Sequence, residues 1–137
     1  FNTTGSSNTA LGYSSLQANS EGYSNTALGY GSLLSNVNGS DNIALGVSSL
    51  NTNTTGANNI AVGNFSLFSN TEGISNTAIG RFSLYSTTGT NNTALGAQSL
   101  YDNVAGNSNI SLGFKSGLGF TSGEKNIFIG IFNVIEG

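Results

Sequence analysis

The stretch Asn8-Thr9-Ala10-Leu11-Gly12-Tyr13-Ser14-Ser15-Leu16-Gln17-Ala18-Asn19-Ser20-Glu21-Gly22-Tyr23-Ser24 is followed at once by Asn25-Thr26-Ala27-Leu28-Gly29. The second run restates the first. Asn, a β-branched residue, usually Ala, a large aliphatic and Gly recur from Asn8, Asn25, Asn42, Asn59, Asn76, Asn92, Asn109 and Asn126, a spacing of 17 residues broken once by 16. Counted from this Asn as position 1, the unit reads N-T-A-L-G-x-x-S-L-x-x-N-x-x-G-x-S/N. Gly holds position 5 in every copy, as Gly12, Gly29, Gly46, Gly63, Gly80, Gly96, Gly113 and Gly130. It holds position 15 from Gly5 and Gly22 through Gly106 and Gly123. Sixteen of the 20 glycines therefore lie on two lines of one lattice, which marks a repeat architecture and not a disordered polar tract.

The period excludes the helical alternatives. A stacked helix pair needs a unit above about 30 residues. Two glycines per unit and no 3.6-residue apolar pattern also oppose helix. Collagen would require Gly at every third residue. What remains is all-β: a parallel β-solenoid, or β-roll, of about eight 17-residue coils with two or three short strands each. Strand alternation puts positions 2 and 4 on one face and position 3 on the other. Position 4 is always a large aliphatic (Leu11, Leu28, Leu45, Val62, Ile79, Leu95, Leu112, Ile129), and this column is expected to be the core ladder. Position 2 alternates between Thr and Ile and is expected to face inward with it. The position-3 alanines are then expected outside. A second short strand is expected at each Ser-Leu pair, such as Ser32-Leu33, with its leucine closing the core from the opposite side. Gly at positions 5 and 15 fits corners that need positive φ or close approach. Asn at position 1, and at position 12 in Asn19, Asn36, Asn53, Asn70 and Asn103, fits stacked side-chain amide ladders.

Composition removes most chemistry. Lys plus Arg number 3 and Asp plus Glu 6 in 137 residues, for a net charge of −3, with no Cys, His, Met, Trp or Pro. Without Cys there is no disulfide framework or thiolate metal site, and without His no imidazole ligand or triad. Three scattered cations do not make a basic nucleic-acid face. No apolar run approaches the roughly 20 residues of a membrane-spanning helix. The acids Glu21, Asp41, Glu72, Asp102, Glu124 and Glu136 fall mostly on turn positions, so no paired carboxylates are expected. No aspartate recurs with the period, as a calcium-binding roll would demand. The expectation is a protein without catalytic residues, metal or cofactor, and with no membrane insertion by this segment.

The Asn-Thr-Ala-Leu-Gly corner resembles the head repeat of YadA-type trimeric autotransporter adhesins, whose motif reads roughly N-S-V-A-I-G. Aligned on the glycine, Thr9-Ala10-Leu11-Gly12, Ile43-Ala44-Leu45-Gly46 and Thr77-Ala78-Ile79-Gly80 fall on V-A-I-G. N-T-A-L-G-x-x-[S/A]-L repeats of phage tail fibres and bacterial surface fibres are similar in wording. The resemblance runs from Asn2 to about Gly130, with a longer period than the adhesin heads, so a turn must be enlarged. It implies a left-handed, trimeric β-roll, extracellular on a virion tail fibre or bacterial cell surface, contacting host glycan or receptor protein. Each coil also has few large aliphatics to bury, and this thin core is itself reason to expect a homo-oligomer, with the position-3 alanines near the contact.

Equal positions in successive coils should stack, so the aromatics form short ladders: Tyr13 with Tyr30, Phe65 with Phe82, and Phe68 with Tyr85 and Tyr101. These serve either a ligand or subunit packing. Residues 1–130 read as one array, and residues 131–137 as the end of the last coil or the start of a cap. The chain begins mid-coil without an initiating Met and reads as a piece of something longer. The expected function is a non-enzymatic structural or adhesive fibre module. The alternative is an ice-binding β-solenoid, with Thr9, Thr26, Thr77 and Thr93 in register. Against it, Ile takes the other four places in a column expected to point inward. A polysaccharide-cleaving β-helix would need grouped acids and bases, which the sequence lacks.

Overall fold

A computed structural model describes residues 3–131 and shows a parallel β-solenoid. Its strands are β1 (Thr9–Leu11), β2 (Thr26–Leu28), β3 (Ile43–Leu45), β4 (Ile60–Val62), β5 (Thr77–Ile79), β6 (Thr93–Leu95), β7 (Ile110–Leu112) and β8 (Ile127–Ile129). They form one sheet in chain order, every neighbouring pair parallel. Equal repeat positions lie side by side, as Thr26 with Ile43, Ala27 with Ala44 and Leu28 with Leu45. The 16-residue step does not disturb this, since Ala78 still pairs Ala94. Only Thr88 separates Thr87 from Gly89, where other turns place two residues between position 12 and Gly. The eight strands bound seven full turns.

Inside and outside are reversed from the expectation. Ala27, Ala44, Ala61, Ala78 and Ala94 at position 3 are at most 1% exposed. The expected core ladder is an outer column: Leu11, Leu28, Ile79, Leu95, Leu112 and Ile129 are exposed, and Leu45 and Val62 half-buried. The Ile residues of position 2 are exposed as well. The reason is parity: positions 1, 3 and 5 share a face. Position 1 is a buried Asn, such as Asn42 or Asn59, and position 5 is a Gly whose backbone abuts the next turn. A face occupied by Asn, Ala and Gly is the face of a narrow interior, and the bulky residues of positions 2 and 4 go to the other side.

The large core side chains come from position 9. Leu33, Leu50, Leu67, Leu84 and Leu100 are completely buried, with Leu16 at the open end 9% exposed. They meet the alanines from across the coil. Their segment is a turn and not the expected second strand. Each of these leucines has a positive φ, 49° to 52°, as do non-glycine residues at position 7 (Phe65, φ 59°) and position 17 (Asn58, φ 58°). A left-handed non-Gly residue costs about 1 kcal/mol or more, so every turn is held by what it bonds to above and below. Leu33 N–H donates to Ser49 O at 3.0 Å and Leu50 N–H to Ser66 O at 3.0 Å. Val37, Asn38 and Gly39 direct three consecutive N–H groups at Thr54 O, at 3.0 to 3.2 Å. In the first four turns the position-8 hydroxyl closes the corner within the turn, as Ser66 Oγ donates to Gly63 O at 2.8 Å, whereas Ser83 Oγ and Ser99 Oγ donate to Ala94 O and Ser111 O of the following turn.

Two asparagine ladders run through the interior. At position 1, Asn59 N–H and Nδ2 both donate to Asn42 Oδ1, at 3.0 and 3.1 Å, while Asn59 Nδ2 also donates to Gly73 O at 2.8 Å. This pattern repeats from Asn8 to Asn126. At position 12, Asn53 Nδ2 donates to Asn36 Oδ1 at 2.7 Å and to Gly56 O at 2.9 Å. A Cβ on Gly56 would sit 2.3 Å from Asn53 Oδ1, so the position-15 glycine exists to admit this ladder. The second ladder breaks at the shortened turn, where Thr87 replaces Asn and leaves Asn70 Oδ1 buried without a hydrogen-bond partner.

The seventh turn ends the core differently. Gly117 stands where other turns place Leu, and Phe128 stands where the others place Ala or, at Ser111, Ser. A Cβ on Gly117 would lie 2.9 Å from Leu100 Cδ2 and 3.1 Å from the Phe128 ring. The large residue thus fills from the strand side what the small one vacates, and Phe120 packs on Phe128 at 5.0 Å between ring centroids. The C-terminal segment from residue 132, expected to finish the coil or begin a cap, lies outside the described residues, as do Phe1, Asn2 and Glu136.

Candidate functional site

With the interior filled by Asn, Ala and Leu, recognition falls to the outer columns. On the sheet side, positions 2 and 4 project outward, and after the bend at the position-5 glycine, position 6 continues the same apolar surface with Tyr13, Tyr30, Val47 and Phe114. Tyr13 is 74% exposed and stacks on Tyr30 at 5.5 Å with 12° between ring planes. The bend is a requirement of the backbone: Gly29 has φ 131°, and a Cβ there would come 2.6 Å from Gly46 O. This surface is what the sequence reading missed. The invariant Asn of position 1 carried the signal, because burying it fixes positions 3 and 5 inside.

The expected aromatic ladders are present, and two of them merge. Phe65 stacks on Phe82 at 5.3 Å, Phe68 on Tyr85 at 5.2 Å, and Tyr85 on Tyr101 at 5.0 Å. The columns touch sideways, Phe82 meeting Tyr85 edge-on at 5.6 Å and Tyr101 at 6.1 Å. Arg81 lays its guanidinium over the Phe82 ring, 4.5 Å from the centroid. All five rings are half-buried. Their faces are spent on one another, so the cluster presents edges and the Tyr hydroxyls, not open faces for a stacking ligand. It stiffens turns four to six. Tyr13 and Tyr30 form a separate pair two turns away.

The titratable groups do not converge. Glu21, Asp41, Glu72 and Glu124 are exposed on turns, and Asp102 Oδ2 accepts from Gly119 N–H at 3.0 Å. Among the described residues, no three of His, Cys, Asp or Glu gather where they could hold a metal ion. A shallow open depression lined by Gln17, Ala18, Leu34 and Ser35 carries no charged group. No helix of the described residues is long and apolar enough to cross a membrane. In comparisons with known proteins, no family model, curated protein or solved structure matches the chain.

Proposed function

We propose that the chain is a non-enzymatic fibre module: a shaft or head segment of a trimeric, extracellular tail fibre or cell-surface adhesin. It holds a binding tip away from its base and offers its outer side chains to host glycan or receptor protein. The observation that carries this reading is the unbroken axial bonding. Every turn is tied to the next through the sheet, the Asn25–Asn42–Asn59 ladder and the N–H groups closing on carbonyls such as Thr54 O. Growth along one axis at about 4.8 Å per turn converts sequence length directly into reach, which is what a spacer needs. The resemblance of the Asn-Thr-Ala-Leu-Gly corner to adhesin-head and tail-fibre repeats supports the same reading.

Small-angle scattering on chains with two turns added or removed tests it. The longest dimension should change by about 10 Å for each such step, at roughly 4.8 Å per turn, with the cross-section constant. A longest dimension indifferent to turn number removes the fibre reading.

The ice-binding reading gains one observation. The position-2 column points outward after all, with Thr9 paired to Thr26 and Thr77 to Thr93 in register. Thermal hysteresis at millimolar protein would favour it, and freezing indistinguishable from that of an inert protein would dismiss it.

A further inference from the structure

We propose that the outward face of positions 2, 4 and 6 is the surface through which copies of this chain pack against one another; this deepens the assembly element of the fibre reading and moves the contact away from the alanines. The face comprises three columns of eight side chains. Nineteen large hydrophobic side chains are exposed among the described residues, and fifteen of them lie on these columns. Arg81 is the single charged residue on them. Every acid sits elsewhere, at positions 11, 14, 16 or 17. An apolar strip running the length of the array exceeds what a monomer ordinarily leaves to water.

The occupant follows from charge and geometry. A second copy carries the same columns with the same axial step, so contacts that fit on one turn fit on the next, over the whole length. A globular partner has no such period. With a net charge of −3 on each copy, packing on the turn sides would set like carboxylates together, whereas the sheet side has almost no charge to oppose. The surface also wraps the bend at the position-5 glycines, so columns 2 and 4 lie on one facet and column 6 on the next. Two facets meeting at an apolar ridge suit a cyclic assembly, where each copy meets a different neighbour on either side of the ridge. Sixteen side chains of one copy, on columns 2 and 4, then meet eight of its neighbour, on column 6, at each interface.

The test pairs Leu28→Glu/Leu95→Glu with Asn38→Glu/Thr71→Glu, which adds the same charge to exposed turns. In sedimentation at micromolar concentration, the wild type and the turn variant should run at one common multiple of the monomer mass. The sheet-face variant should run at the monomer mass with an unchanged strand-type circular dichroism spectrum. A second measurement does not depend on the glutamates being tolerated. In this cysteine-free chain, Leu95→Cys should react with maleimide at least tenfold more slowly than Thr71→Cys. A monomeric wild type, an undiminished multiple in the sheet-face variant, or equal labelling rates would overturn the proposal. A monomeric wild type whose scattering length still scales with turn number leaves the fibre reading standing, so the two fail separately.

Discussion

At the scale of single residues, the repeat is governed by what must be absent. Gly63 has φ 131°, and a Cβ there would lie 2.7 Å from the carbonyl carbon and oxygen of Gly80, neither able to move without breaking the stack. Gly63→Ala should therefore cost about 3 kcal/mol or more, combining left-handed strain with a backbone clash. Gly119→Ala is the control, since φ is 82° but nothing lies within 4 Å of the added carbon. It should cost only about 1 kcal/mol. Urea midpoints of the two variants measure the difference, and equal losses would refute the packing role given to position 5. What must be present is equally specific. Asn53 donates to Asn36 Oδ1 and Gly56 O and accepts from Asn70 Nδ2. Asn53→Ala leaves the buried Asn36 Oδ1 without its donor, while Gly56 O keeps Asn42 Nδ2 and Asn70 Nδ2 keeps Gly73 O, so a loss of about 1–3 kcal/mol is expected from the one unsatisfied group.

At the scale of the element, the question is which side of a three-residue strand a leucine occupies. Leu67→Ala, in the buried position-9 column, should lower stability by about 2–5 kcal/mol. Leu95→Ala, on the outer column, should leave the folding of a single chain within about 0.5 kcal/mol, read at protein concentrations where copies do not associate. The opposite ranking would restore position 4 to the core. The same contrast shows how far the sequence could be read. The period, parallel register, asparagine ladders and aromatic stacks were legible because each is a property of equal positions, and equal positions are visible in a repeat. The inward side was not legible in the same way. Hydrophobicity alone favours Leu at position 4 for the interior, but the parity is set by the neighbouring Asn and Gly of positions 1 and 5, which a narrow coil must bury. The turn at Leu33 and Leu50 was illegible for another reason: their φ is near 49°, yet no glycine advertises it. Turn five offers a repair at this scale. Thr87→Asn with one residue inserted after Thr88 supplies a donor for the unpartnered Asn70 Oδ1. It should add about 1 kcal/mol, seen as a raised melting temperature; an unchanged or lowered value would mean that the shortened turn is satisfied as it stands.

At the scale of the whole molecule, stability is carried between turns and not within them. A single turn has one buried leucine and one buried alanine, as with Leu50 and Ala44, too little apolar surface to offset the entropy of ordering 17 residues. The bonds that close it reach the turn above or below, so the array behaves as a stack with nearest-neighbour coupling. Removing residues 42–58 deletes one complete unit and joins Asp41 to Asn59, position 17 to position 1, so Asn25 meets Asn59 as it now meets Asn42. That deletion should fold, keep its strand-type circular dichroism spectrum and lose one turn's share of the denaturation enthalpy, on the order of 12 kcal/mol at about 0.7 per residue. Removing residues 42–50 instead takes out half a unit and sets the Asn51 segment where a strand belongs, opening both ladders and exposing apolar columns of unmatched phase. It should behave as two short unstable arrays, with early, broad melting and aggregation. Calorimetry on the pair distinguishes a stack that counts in whole turns from a domain held by one central core, for which the shorter deletion would be the milder injury.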